Sequence, residues 1–217
     1  MKIDLLKTIK KIKRNTKKRA KNKTIEQVNA ALKFGWEYFD KKGICYNGYT
    51  YDGRWIPVVK RFIDFYKLKK GNKILDLGCA KGYLLYDFYK RMPSLDLYGI
   101  DISKYAIACA PPEVKKFIKY GNAINLSRFP DNYFDLVIAI NTIHSFKTLK
   151  ETEKAVSEIQ RVTKKNSYIV VDSYKTQKEK IRMEEWQVAG HLVISEKEWL
   201  EIFKKTKFTG DYYWFKP

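Results

Sequence analysis

With 217 residues, 45% hydrophobic and 15% aromatic, the chain has enough apolar material for one domain with a sizeable core, which excludes a disordered polypeptide. Its formal charge is +20, but only eight of its 44 basic residues are Arg, the type that reads phosphates bidentately, so an anion-attracting surface is favoured over a dedicated nucleic-acid face. Cys45, Cys79 and Cys109 lack CxxC spacing, which argues against disulfides and zinc and fits a reducing cytoplasm, and no apolar run reaches the roughly 18 residues of a membrane span or the pattern of a signal peptide.

Residues 1–23 hold eleven of the basic residues, with Asp4 as the one acid. Ile3, Leu5, Leu6, Ile9 and Ile12 recur at roughly helical spacing before the polar run KRNTKKRAKNK. That pattern predicts either a basic amphipathic helix in peripheral contact with an anionic membrane or partner, or a soluble helix capping the domain. Residues 24–56 open like a helix and then crowd Trp36, Tyr38, Phe39, Tyr46, Tyr49, Tyr51 and Trp55 into twenty positions, too dense an aromatic set for an ordinary connection. This segment either packs onto the core or closes as a lid over a ligand.

Residues 57–217 read as an α/β domain. A helix runs to about Tyr66, followed by the strand KILDLG at 73–78, a helix from Gly82 to Arg91 and the strand LDLYGID at 95–101. Next come a helix at 103–110 stopped by Pro111 and Pro112, the strand KFIKYG, the strand YFDLVIAIN at 133–141, a helix at about 148–163 and the strand YIVVDS at 168–173. Ser195 and Glu198 form a capping box opening a helix to about Lys205, and TGDYYWFK supplies a last strand. Strands that are continuous apolar runs, alternating with helices, predict a Rossmann-like, mostly parallel sheet of six or seven strands with helices on both faces.

In such sheets ligands bind beyond the carboxyl ends of the strands. The first strand ends in ILDLGCAKGYLL, where Gly78 permits a tight turn and Gly82 opens the next helix without a side chain in the way. Nineteen residues on, the second strand ends in Asp101, placed to accept hydrogen bonds from a ribose. An acid before spaced glycines, as in Asp76, Gly78 and Gly82, resembles the first motif of the class I S-adenosylmethionine-dependent methyltransferases, over about residues 57–175. Ala80 stands where that family usually has its middle glycine. The resemblance implies S-adenosylmethionine as cofactor, held by Asp76, Gly78, Cys79, Ala80 and Gly82, by Asp101 and Ile102, by Asn122 and Ala123 of YGNA at the adenine position, and by Asn141 ending the fourth strand. A dinucleotide-binding dehydrogenase shares the topology, but Asp76 before the first glycine would repel a pyrophosphate and favours a cationic cofactor.

Methyl transfer asks an enzyme mainly to position its acceptor and, where needed, remove a proton. His144, three residues beyond Asn141, is the candidate base, with a pocket-shaping role as the alternative. Asp172, Ser173 and Tyr174 end the fifth strand and could line the acceptor side. YNGYTYDGRW, from Tyr46 to Trp55, is similar to a lid of bacterial small-molecule methyltransferases in surface-polysaccharide pathways; its aromatic rings suit sugar faces and Arg54 an anionic group, which makes Tyr49, Tyr51, Arg54 and Trp55 candidate acceptor contacts, with a lid that covers only the cofactor as the alternative. The expected activity is transfer of a methyl group to an oxygen or nitrogen of a small polar or anionic acceptor, such as a sugar or nucleotide-linked sugar. Methylation of tRNA or rRNA is the alternative, for which the basic N-terminus speaks, and a non-catalytic binding module is a third class.

Overall fold

The computed structural model describes residues 1–217 other than Lys11, Lys13 and Asn47. Six strands, β1 (Lys73–Leu77), β2 (Asp96–Asp101), β3 (Ile118–Tyr120), β4 (Phe134–Ile140), β5 (Thr163–Asp172) and β6 (Asp211–Phe215), form one sheet in the order β3-β2-β1-β4-β5-β6. Every pairing is parallel.

The two-residue period of the strands sorts their side chains to opposite faces. Leu75, Leu77, Val137, Ala139, Ile169 and Val171 pack on one face with Ala155, Val156 and Ile159 of α8 (Leu149–Val162) and Trp199, Ile202 and Phe203 of α10 (Glu196–Lys205). Ile74, Leu136, Ile138, Tyr168 and Val170 pack on the other, against Val58, Val59 and Phe62 of α4 (Ile56–Tyr66) and Leu84, Leu85 and Phe88 of α5 (Tyr83–Arg91). The short helices α6 (Lys104–Ala108) and α7 (Pro112–Lys115) link β2 to β3. Pro112 opens α7 at its first turn, where the missing N–H costs nothing, so the two prolines separate two helices.

Two elements differ from the sequence expectation. β5 begins at Thr163, five residues early, with a register irregularity opposite Phe134–Leu136. The polar stretch after Tyr174 contains α9 (Gln177–Trp186), which has a Thr176–Glu179 capping box but buries only Met183, so it shows no apolar period.

The N-terminus corrects a third expectation. The described residues between Ile3 and Ile12 form no helix; helical structure begins with α1 (Thr16–Lys21), α2 (Ile25–Ala31) and α3 (Trp36–Phe39). The first residues lie instead along the free edge of β6. The Ile3 N–H donates to Tyr212 O at 2.9 Å and the Tyr212 N–H to Met1 O at 3.0 Å, which satisfies backbone groups that an edge strand leaves open. Leu5 then enters the core at 1% exposure, its N–H donating to Tyr168 Oη and the Tyr168 hydroxyl donating to Ile3 O. Lys11 and Lys13 of the expected helix lie outside the described residues. Among the described residues no helix is long and apolar enough to cross a membrane.

Candidate active site

The strand order reverses direction between β1 and β4, and this switch point opens a crevice at their carboxyl ends. Gly78 leaves β1 at φ 71° and donates its N–H to Ile100 O at 2.7 Å. A Cβ there would sit 2.1 Å from Thr142 Oγ1, so glycine is required for the loop after β1 to pass the loop after β4. Ala80 is also left-handed, at φ 51°, a conformation that costs a side-chain-bearing residue about 1 kcal/mol and is held here by its N–H donating to Asp101 Oδ2 at 2.7 Å. Asn141 turns the chain out of β4 at φ 53°.

Two carboxylates dominate the electrostatics. Asp76 is 4% exposed, and burial together with the charge of Asp101 pushes its pKa up to about 8. Among the described residues no cation lies within ion-pair distance of it. Burial also raises Asp101, against the Ser103 and Ala80 amides that donate to it. A buried carboxylate on a crevice wall without a cation fits a ligand that brings positive charge and N–H donors, as an adenosyl sulfonium with its amino group would.

Residues 24–56 cover the end of β2. Lys81, itself 6% exposed in its side chain, donates through Nζ to both Asp40 oxygens at 2.7 Å, and the Tyr105 hydroxyl donates to Asp40 Oδ2 at 2.6 Å. Ser103 Oγ donates to Phe34 O, the Tyr83 hydroxyl to Tyr49 O, and the Tyr51 hydroxyl to Asp87 Oδ1. Rings of Tyr38, Phe39, Tyr46, Tyr49 and Tyr83 meet at centroid distances of 4.8–5.9 Å, packing the aromatic cluster onto α5 and α6.

Beneath this cover lies a cavity of about 1040 Å³. It brings together Asp76, Gly78, Cys79, Ala80, Asn141 and His144 from the strand ends with Tyr49, Arg54 and Trp55 from the covering segment. Other expected site residues do not line it. Asp101 faces the Ala80 and Ser103 amides, Gly82 caps α5, and Ile102 is 46% exposed. The Asn122 side chain accepts the Ile124 N–H, and Ala123 joins the core. Tyr51 is engaged by Asp87, and Tyr174 bridges to Ser195 beside α9. Arg54 is held by Asp52 at 2.6 Å, and Asn47 of the aromatic motif lies outside the described residues.

At the end of β5, His144 and Asp172 form a pair. His144 Nδ1 accepts the Asp172 N–H at 3.2 Å, and Nε2 lies 3.6 Å from Asp172 Oδ2. Gln187 Nε2 donates to the same carboxylate oxygen at 3.3 Å and the Trp199 indole N–H donates to Asp172 O at 3.1 Å, which fixes strand end and side chain together. The Nδ1 lone pair is thus engaged, which leaves the Asp172 carboxylate as the acceptor that this pair offers to the cavity.

The stretch after Tyr174 that holds MEEWQVAGH is expected from the sequence to help form the acceptor pocket, whereas Arg14, Arg19 and Lys216 escaped sequence reasoning. Arg14 and Arg19, from the N-terminal segment, and Arg182, Trp186 and Lys216, from α9 and the C-terminus, line the same cavity. With Arg54 they place four of the chain's eight arginines on one cavity. No local motif marks them because they come from distant stretches; the scarcity of Arg against Lys was the available signal.

The model of the methyltransferase-domain family matches residues 68–207, and the chain belongs to this family. It is 30% identical over 114 residues to a methyltransferase of Schizosaccharomyces pombe, covering 47% of this chain and 40% of that one. Over 123 residues it is 28% identical to the tRNA (carboxymethyluridine(34)-5-O)-methyltransferase of Arabidopsis thaliana, covering 57% and 28%. The chain therefore spans less than half the length of either relative. A solved structure of a SAM-dependent methyltransferase from Archaeoglobus fulgidus shares the fold, with a TM-score of 0.54, 19% identity and coverage of 70% and 66%.

Proposed function

We propose that the protein transfers a methyl group from S-adenosylmethionine to an oxygen or nitrogen of a small anionic acceptor, a sugar or nucleotide-linked sugar of the kind used in surface-polysaccharide assembly being the class its tyrosines and arginines suit. One observation carries the reading: a single cavity at the switch point is lined both by a buried, uncompensated carboxylate and by four arginines.

The cofactor, when bound, supplies an electrophilic methyl group on a sulfonium. Asp76, ionised by that positive charge, anchors the amino-acid end, and the bare backbone at Gly78 lets the cofactor approach closely. Each Asp101 oxygen keeps a lone pair beyond its amide bond, which is what two ribose hydroxyls need. Phe34 and Ser103 stand over that end, so residues 24–56 act as a lid that must lift to admit the adenosine. On the acceptor side Tyr49 and Trp55 offer ring faces and Arg14, Arg19 and Arg182 neutralise anionic groups. Asp172 takes the acceptor's proton while His144 and Gln187 hold it in place; His144 would itself serve as base only with its Nδ1 released from the Asp172 amide.

The test is calorimetric binding of S-adenosylmethionine followed by release of S-adenosylhomocysteine against a panel of sugar phosphates, nucleotide-sugars and total tRNA. Binding with turnover on the sugar panel supports the proposal. Turnover on tRNA alone, with the steep salt dependence of phosphate contacts, would replace it by RNA methylation, the reading that the Arabidopsis relative and the charge of +20 favour. Failure to bind the cofactor would remove both.

A further inference from the structure

A second cavity, of about 640 Å³, opens beside the first and shares with it Ile12, Arg14, Arg19, Cys45, Trp186 and Val188. Its wall carries Arg14, Lys18, Arg19 and Lys23 and, among the described residues, no acidic side chain. Helical positions Lys18 and Arg19 come from α1, and Lys23 follows it; α1 is pinned to α9 by Thr16 Oγ1 donating to Glu185 and by Arg19 Nε donating to Trp186 O at 2.8 Å. Lys23 Nζ donates to Glu184 O and Gln187 O, so part of this positive charge answers the carbonyl end of α9.

Arg14 is different. Its guanidinium lies 5.0 Å from the Trp186 ring centroid and 4.9 Å from that of Phe215, a stacked position that fixes its plane. Among the described residues no carboxylate lies within ion-pair distance of it and no group accepts its hydrogen bonds. Burial lowers the pKa of Arg14, Arg19 and Lys23; at Arg14 the more distant Asp172 carboxylate opposes the shift, and the charge of Arg19 lowers both Arg14 and Lys23 further, so like charges are held together with no anion in contact with Arg14. An oriented, unengaged guanidinium fork beside three further cations matches the geometry of a phosphate or diphosphate.

From this arrangement we infer that the second cavity is a phosphate-binding subsite for the acceptor, in which Arg14 and Lys18 grip a phosphate or diphosphate while the group to be methylated reaches Asp172 through the shared wall. The inference rests on the proposed methyl transfer to a small anionic acceptor and narrows that acceptor to a phosphorylated one. A volume of about 640 Å³ suits a small ligand group, within the roughly 300–1000 Å³ of ordinary ligand pockets.

The full chain, its Arg14→Gln and Lys18→Gln variants and the double variant would be titrated with inorganic pyrophosphate and, separately, with S-adenosylhomocysteine. Saturable pyrophosphate binding by the parent, weakened roughly tenfold in each single variant and lost in the double one, is expected, with S-adenosylhomocysteine affinity unchanged throughout. Pyrophosphate binding that is absent, that is equal in all four proteins or that competes with S-adenosylhomocysteine would overturn the subsite. Displacement of pyrophosphate by a tRNA that binds more tightly would reassign the cations to nucleic acid and overturn it too. Loss of S-adenosylhomocysteine binding in the parent itself would instead defeat the underlying methyltransferase reading, whatever pyrophosphate does.

Discussion

At the residue scale, Asp76 links folding, pH and ligand. Its folded pKa, pushed up to about 8, lies above that of an unfolded aspartate, so the folded state holds a proton the unfolded chain has lost. Stability of the unliganded protein should therefore fall as pH rises from about 4 to about 8 and level off beyond, and Asp76→Asn should flatten that part of the profile in urea denaturation at stepped pH. Binding of a cation works in the opposite direction, because it favours the carboxylate. Affinity for S-adenosylmethionine should rise between about pH 6.5 and 8.5 with release of a proton, seen as calorimetric enthalpies that depend on the buffer, and both effects should vanish in Asp76→Asn. Asp76, Gly78 and Ala80 could be found in the sequence because the loop is local. The pairing of His144 with Asp172, 28 positions apart, could not, since it depends on the register of β4 against β5.

At the scale of elements, the segment from α2 to α4 is fastened to the domain by few polar contacts, with Asp40 at their centre. Removing it strands Lys81, whose side chain is only 6% exposed, and an uncompensated buried charge is costly. Asp40→Ala should lower stability by about 2–3 kcal/mol, less than the roughly 3–5 kcal/mol of a fully buried broken pair because the Asp40 side chain is 21% exposed, and should speed proteolytic cleavage within residues 24–56. Intact resistance to cleavage would show that ring packing alone keeps the segment closed. The central strands were legible as apolar runs and α8 and α10 as amphipathic patterns, since burial on one or both faces leaves a periodic trace. α9 left none, because it packs against α1 and buries only Met183.

At the scale of the whole molecule, the basic N-terminus is built into the domain. Met1 to Ile3 run beside β6, Leu5 fills the core, and Arg14 and Arg19 wall both cavities, so the ends of the chain meet at one site. Leu5→Ala should cost about 2–4 kcal/mol in urea denaturation, the price of a buried methyl cluster, whereas a free tail would register nothing. The amino-acid sequence by itself determined the α/β class, the positions of the strands and the Asp76–Gly82 loop, because hydrophobic period and the demands of a tight turn act between near neighbours. Only the tertiary structure decided that the first residues extend the sheet edge, that the covering segment hides Asp101, and that scattered arginines converge beside Trp186. Those features arise from contacts between residues as far apart as Met1 and Tyr212, where edge hydrogen bonding and burial outweigh the local helical spacing of Ile3 to Ile12.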